Sequence, residues 1–243
     1  MHKREFDGYP DGGSRGLVPK NQRRKGGPSG NLRRGEREMR RARILDQKQI
    51  ERVLTHIQTT SNSPYSDEVK FVLSVFAGLR VGEIAGMTME AVVDADDEIG
   101  DHIIVGRHAA KRGRERIIPM HPRVREALVR FRNAHPDVRF LAFSARGRIR
   151  RQSAPSVKFF FSRIYREVGL HGCSSHSGRR TFITHLARLA NLHGHSLRDV
   201  QILAGHSRLD TTAAYIEPAE ELSGLVAAFG RRTPTTTKEG VEA

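Results

Sequence analysis

A mainly α fold carrying one small three-stranded antiparallel β-sheet is what this sequence predicts, and three features of the residue order predict it. After Asp46, apolar residues recur at three- and four-residue spacing over most of the chain, the period of a helix with one buried face. Between Glu90 and Met120 that period breaks. There, short apolar runs alternate with Asp, Gly and Arg, as strands alternate with turns. Both ends of the chain are poor in apolar residues, which sets residues 1–43 and 231–243 apart from a domain over 44–230.

Taken in order, the first helix opens at Asp46, a capping residue with Gln49 three positions on, and its buried face is Ile50, Val53, Leu54 and Ile57. A second helix is expected from about Ser66 to Gly78 with Phe71, Val72, Val75 and Phe76 inside, and a short third one runs through Met87. The expected strands are Ala91–Val93, Ile103–Val105 and Ile117–Ile118. Helical spacing returns at Val124, Ala127, Leu128 and Phe131, and again from Val157 to Val168. Further helices are expected over Ser177–Ala190, over Ser196–Ala204 with Ser196 as cap, and beyond Asp210. Leu222, Leu225, Val226 and Phe229 form a last apolar stripe, suited equally to packing on its own domain or on a neighbouring subunit.

The 243 residues carry 42 Lys and Arg against 27 Asp and Glu, a formal charge of +15. A field of that size attracts a polyanion, and nucleic acid is the expected partner. Residues 1–43 hold 13 Lys and Arg against five Asp and Glu, so more than half of the net charge lies in a stretch too polar to build a core; it reads as a disordered, basic arm. There is no Trp and aromatics are few, which argues against stacking on single strands and for duplex DNA. The longest apolar run, around Phe71 to Leu79, is far too short to span a bilayer, and no membrane partner is expected. One cysteine, Cys173, excludes an internal disulfide and suits a reducing, cytoplasmic setting on the nucleoid.

Cleaving a DNA phosphodiester without a metal requires a nucleophile, cations around the non-bridging oxygens and a proton for the leaving oxygen. Arg80 stands in the small and apolar stretch Gly78-Leu79-Arg80-Val81-Gly82-Glu83, where a charge is costly unless paired or serving a ligand. Glu83, three residues on, suits either a structural pair with Arg80 or the orientation of its guanidinium. Arg179 and His176 share a helix start in His176-Ser177-Gly178-Arg179, a place that favours an anion. Lys111 occupies the basic turn Ala110-Lys111-Arg112-Gly113-Arg114, from which a lysine reaches a DNA groove, as a plain phosphate contact or as a proton donor. Of four tyrosines, Tyr9 is in the basic arm, Tyr65 precedes the second helix and Tyr165 lies on an amphipathic helix where packing is the default. Tyr215 follows a helix stop at Gly205, then His206, then a restart at Asp210.

Each motif alone is weak; their order is specific. Gly-Leu-Arg-x-x-Glu is followed by Lys-x-Gly-x-x-Arg-x-Ile-Pro, His-x-x-Arg, Gly-His-Ser and a Tyr nine residues after that His. This succession, over residues 44–230, resembles the catalytic domain of the tyrosine recombinase (phage integrase) family. The resemblance implies DNA strand cleavage and rejoining, in recombination or integration, with no metal, cofactor or ATP. It implies that Arg80 and Arg179 clamp the scissile phosphate, that Lys111 is the general acid toward the 5′-oxygen, and that His176 accepts or relays the tyrosine proton. It further implies that His206 donates a hydrogen bond to a phosphate oxygen, that Tyr215 forms a 3′-phosphotyrosyl link, and that Glu83 supports from behind. A homo-tetramer on DNA is expected on the same ground.

The resemblance is incomplete in two places. Family members usually carry a helical core-binding domain ahead of the catalytic one, whereas about 43 residues precede the first helix here, so that clamp is expected to be missing and an accessory DNA-binding protein is a candidate partner. Gly178 stands where the family usually has a larger apolar residue, and in a helix it is expected to cost roughly 1 kcal/mol against alanine. The alternative functions are a type IB topoisomerase-like nicking-closing enzyme and a non-catalytic DNA-binding or regulatory relative.

Overall fold

A computed structural model describes residues 42–106, 115–144 and 150–215. The chain separates into two units, Met1–Glu38 and Met39–Ala243, and every described residue belongs to the second. Residues 1–41 of the expected basic arm, the C-terminal tail, the apolar stripe at Leu222–Phe229 and the Lys111 turn lie outside the described residues.

The described elements are α1 (Gln47–Thr60), α2 (Pro64–Phe76), α3 (Val81–Gly86), a 3-10 turn (Met89–Ala91), β1 (His102–Val105), β2 (Arg116–Pro119), α4 (Pro122–Ala134), β3 (Phe143–Ser144), β4 (Arg150–Arg151), α5 (Ala154–Glu167), α6 (Ser177–Leu189), a second 3-10 turn (Ala190–His193), α7 (Leu197–Ala204) and α8 (Leu209–Ala213). At α1, Asp46 Oδ1 accepts from the Gln49 amide at 2.8 Å and the Gln49 side chain accepts from the Asp46 amide at 3.2 Å, closing a capping box. Burial of Ile50, Val53, Leu54 and Ile57 contributes roughly 6–12 kcal/mol against about 1 for the cap. Packing holds this helix, and the cap decides where it begins.

α2 is the central helix. Its residues Ser66 to Val75 are buried without a break, because α1, α4 and α6 all pack on it. The charges this buries are paired: Lys70 Nζ meets Asp67 at 2.5 Å and Gln152 at 2.9 Å, and Glu68 accepts from Arg130 at 2.6 Å. The main core joins α1 to α5 with β1, β2 and β3, and a smaller cluster of Ile183, Ala190, Val200 and Ala204 lies among α6, α7 and the turn between them.

The three-stranded sheet does not form among the described residues. β1 and β2 pair alone, antiparallel, with Ile103 opposite Ile118 and Val105 opposite Arg116. The stretch expected as the first strand instead closes a 3-10 turn and makes a single bridge, Val93 to Ile99. The reason is the acidic turn between them. Asp94 Oδ1 accepts from the Asp96 and Glu98 amides, both at 3.0 Å, and Asp97 takes a left-handed φ of 61°. So tight a reversal brings Gly100 back onto Val92 before a ladder can extend. A second two-stranded pair, β3 with β4, has no counterpart in the pattern read from the sequence, since Arg150-Arg151 lacks the apolar signature of a strand.

Gly178 corrects a second expectation. A Cβ there would stand 2.4 Å from Ser74 Oγ and 2.9 Å from Ser74 Cβ, so glycine is what lets α6 lie directly on α2. Alanine would overpack this crossing rather than improve the helix.

Candidate active site

Three chain turns build the site. α2 ends in a left-handed Gly78, φ 63°, with the Leu79 amide reaching back to the Leu73 carbonyl at 3.1 Å. A Cβ on Gly78 would stand 2.3 Å from the Phe182 ring, so the position is closed to side chains for two separate reasons. Two residues on, Arg80 heads α3. Its amide donates to Glu83 Oε2 at 2.7 Å and its guanidinium to Glu83 Oε1 at 3.0 Å.

The second turn is the start of α6. Ser177 Oγ accepts from the Ser174 amide at 2.9 Å and Ser174 Oγ from the His176 amide at 3.2 Å, which fixes the loop that presents His176. Arg179 follows within the first turn, only 4% exposed, and donates to the Gly78 carbonyl and, at 2.6 Å, to the Ala204 carbonyl.

The third turn is the end of α7. Gly205, φ 63°, stops the helix and leaves the last carbonyls without helical partners. Three arginines from three other elements fill that place. Arg116 Nε donates to Leu203 O at 3.1 Å, Arg179 to Ala204 O, and Arg80 to Gly205 O at 3.2 Å. Cations are favoured at a helix C-terminus, so the carbonyl end gathers the charges. One carboxylate joins two of them from the other side: Glu83, 1% exposed, takes both terminal nitrogens of Arg116 at 2.9 Å as well as Arg80. Burial pushes the Glu83 carboxyl up, but the hydrogen bonds and charges of Arg116 and then Arg80 outweigh it and hold the group at about 2.

Past Gly205 the chain carries His206 and then α8. His206 Nδ1 is 2.9 Å from Thr212 Oγ1, and its ring stacks on Tyr215 with centroids 5.7 Å apart and planes 24° from parallel. Tyr215 is half-buried and packs against the smaller core cluster. Burial, followed by the charges of Arg179, Arg80 and Arg116, lowers the His206 imidazole to about 4. His176 is lowered by burial and by Arg179, Lys158 and Arg80. Arg179 falls to about 10 through burial and the charge of Arg80, with Glu83, and at the end of the series Tyr215, pulling the other way. At neutral pH the site is a fixed patch of three guanidiniums and one carboxylate beside two neutral imidazoles.

The structure therefore brings together Arg80, His176, Arg179, His206 and Tyr215, five of the six residues singled out in the sequence; the sixth, Lys111, lies outside the described residues. Tyr165 is a packing residue, 1% exposed, with its phenol pushed well above the ordinary range by burial. Two participants escaped the sequence reasoning. Arg116 was quoted in a motif without a role, although strand alternation would have found it: it shares the inward face of β2 with Ile118, and an inward charge requires a partner. Lys158, on α5, bears on His176, and a lone lysine on an amphipathic helix carries no signal of that. Among the described residues no group of three or more His, Cys, Asp or Glu side chains is placed to hold a metal ion.

A mainly helical domain that collects guanidiniums and imidazoles beside a phenol defines a class: a cationic pocket suited to an anion, with a tyrosine at its rim. Comparison with known proteins places it further. The model of the phage integrase family matches residues 43–221, and the chain belongs to that family. It is 30% identical over 184 residues to the tyrosine recombinase XerD of Shewanella oneidensis, covering 72% of this chain and 57% of the relative. It is 26% identical to the tyrosine recombinase XerC of Thermodesulfovibrio yellowstonii, covering 82% of this chain and 69% of the relative. The chain spans 57% and 61% of the lengths of two XerD relatives, from Shewanella oneidensis and Neisseria meningitidis. The fold is shared with the crystal structure of XerA recombinase, at a TM-score of 0.59 and 19% identity over 79% of this chain and 64% of that one. It is shared also with the Tn1549 transposon integrase in complex with a circular-intermediate DNA, at 0.58 and 23% over 76% and 64%.

Proposed function

We propose that this chain is the catalytic portion of a tyrosine recombinase, which cuts and rejoins duplex DNA at specific sites through a covalent 3′-phosphotyrosyl intermediate. The observation that carries this is the gathering of Arg80 and Arg179 on adjacent carbonyls at the end of α7, one residue from the His206 ring on which Tyr215 stacks. Each of the two guanidiniums has donors left over for a phosphate, and arginine offers them as a permanent, planar charge.

In the reaction the Tyr215 oxygen bonds to phosphorus and the bond from phosphorus to the 5′-oxygen breaks. His176, neutral at pH 7 because burial and neighbouring cations lower it, is suited to accept the phenol proton. Lys111 supplies the proton that the departing 5′-oxygen takes up. His206, also neutral, donates a hydrogen bond to a non-bridging oxygen whose charge the arginines already balance. The phosphotyrosyl bond conserves the energy of the phosphodiester, so a 5′-hydroxyl reverses the step without ATP or a metal. Family membership, relatives that are tyrosine recombinases, and a neighbouring fold solved on DNA support this reading. Residues 44–230 would form the catalytic domain, the basic residues 1–43 would add phosphate contacts, and the working assembly would be a tetramer on DNA.

The test is a pool of nicked suicide duplexes of randomised sequence, incubated with the protein and run on a denaturing gel. A covalent protein–DNA band is expected with the wild type and is expected to vanish in Tyr215→Phe. Tight duplex binding with no band in the wild type would replace the enzyme with a non-catalytic DNA-binding protein.

A further inference from the structure

Three arginines meet at the end of α7, and their donors are not spent alike. A guanidinium carries five N–H groups, one on Nε and two on each terminal nitrogen. Arg179 uses one from each terminal nitrogen, on Gly78 O and Ala204 O. Arg80 likewise uses one from each, on Glu83 and on Gly205 O. Three donors remain on each for an incoming anion. Arg116 is held differently. Both of its terminal nitrogens grip the two oxygens of Glu83 at 2.9 Å, and Nε closes on Leu203 O at 3.1 Å. Its forked edge is filled by a carboxylate, so no two-pronged grip is left for a phosphate.

Arg116 instead spans the site. It begins β2 opposite Val105, so its backbone belongs to the hairpin, while its side chain ties α3 through Glu83 and α7 through Leu203. It also lies along the turn itself: a Cβ on Gly205 would stand 3.0 to 3.2 Å from its Cδ, terminal nitrogen and Nε. Glu83 in turn holds both the amide and the guanidinium of Arg80. Arg116 therefore reaches Arg80 through one shared carboxylate and reaches His206 through the turn it braces.

We propose that Arg116 is a positioning residue for strand cleavage: by clamping Glu83 on one side and the end of α7 on the other, it sets the orientation of Arg80 and the place of His206 without touching DNA. This rests on the recombinase function proposed above.

The experiment uses the full chain as Arg116→Gln, Arg116→Lys, Glu83→Gln and the double variant R116Q/E83Q, with the same randomised nicked duplexes as probe. Duplex affinity, the single-turnover rate of covalent adduct and the folded fraction from thermal melts are measured together. R116Q is expected to keep wild-type affinity within about three-fold while adduct formation slows by about 10²-fold, a loss in the chemical step rather than in binding. R116K, which keeps the charge but not the fork, is expected to recover part of that rate. Because Arg116 acts through Glu83, the double variant is expected to be no slower than the slower single one.

A wild-type rate in R116Q overturns the proposal, as does a rate that falls only in step with affinity or folded fraction, or a double variant whose losses multiply. Unfolding of both Arg116 variants overturns it too, since Arg116 would then be a strut of the fold. If the wild type gives no adduct at all, the recombinase function has failed, and positioning is judged by an NMR titration of His206. That ring is surrounded by Arg179, Arg80, Arg116, Thr212 and Tyr215. R116K, which keeps the charge but releases the turn, is expected to move the His206 inflection, and R116Q to move it further. An R116K inflection equal to the wild type would show that His206 feels only the charge and sinks the positioning role independently.

Discussion

At His206, burial and three nearby guanidiniums work in one direction, lowering the imidazole from 6.5 to about 4. The consequence for stability has a definite sign. Between pH 6.5 and 4 the unfolded chain binds a proton that the folded chain refuses, so stability is full above about 6.5 and is lost as pH falls toward 4. Glu83 is depressed as well, from 4.5 to about 2, so its contribution is full above about 4.5 and is lost from there down toward 2, overlapping only the acid end of the His206 range. Denaturant titrations at pH 7, 5.5 and 4.5 are expected to show the wild type weakening across this range, with a shallower fall in His206→Asn. Equal slopes for the two proteins would mean that His206 is not the group responsible. The same depression matters for chemistry, because a neutral imidazole can donate to a phosphate oxygen without adding a fourth positive charge to the patch.

At the scale of elements, the crossing of α6 over α2 decides whether Arg179 reaches the carbonyls of Gly78 and Ala204 at all. Gly178 permits the close approach, with Ser74 filling the space its missing side chain leaves. Gly178→Ala is expected to destabilise the protein by about 1–3 kcal/mol, read from urea unfolding, instead of stabilising it as helix propensity alone would suggest. Ser74→Gly should relieve part of the loss in the double variant, while Ser74→Ala should not, because Ser74 Cβ itself stands 2.9 Å from the added carbon. A neutral or stabilising Gly178→Ala would show that the two helices are less tightly apposed. The end of α7 is the other decisive element. Its last carbonyls need partners, and Arg80, Arg116 and Arg179 from three other elements supply them.

For the whole molecule, charge is the governing quantity. A formal +15 over 243 residues predicts that duplex binding is dominated by phosphate contacts, so the logarithm of the binding constant should fall linearly with the logarithm of salt, with a slope of about −0.9 per phosphate neutralised. Fluorescence anisotropy between 50 and 200 mM salt reads this, on the order of 10³–10⁵-fold if six to ten phosphates are engaged. A flat response would remove the polyanion as the partner. Among the described residues no helix is long and apolar enough to cross a membrane.

Much of this architecture was legible before any coordinates. The helix at Ile50, Val53, Leu54 and Ile57 begins at its Asp46 capping box, and the helix at Ser196 begins at its own, because apolar period and capping chemistry are local properties. Tyr215, His206, His176, Arg179 and Arg80 were legible through the order of their motifs. The first of the expected strands was misread because a short apolar run does not show whether its partner can reach it, and the acidic turn at Asp94–Asp97 closes too soon. Gly178 was misread because propensity describes a helix in isolation, whereas its cost here is set by Ser74 on another helix. What the residue order determined by itself was the set of helices, the basic balance and which side chains gather at the end of α7. What only the tertiary structure decided was how each arginine is employed. Arg116, Arg80 and Arg179 are chemically the same, and whether a guanidinium faces an anion or a buried carboxylate depends on which distant carbonyls and which Glu83 oxygens the fold places within hydrogen-bonding reach.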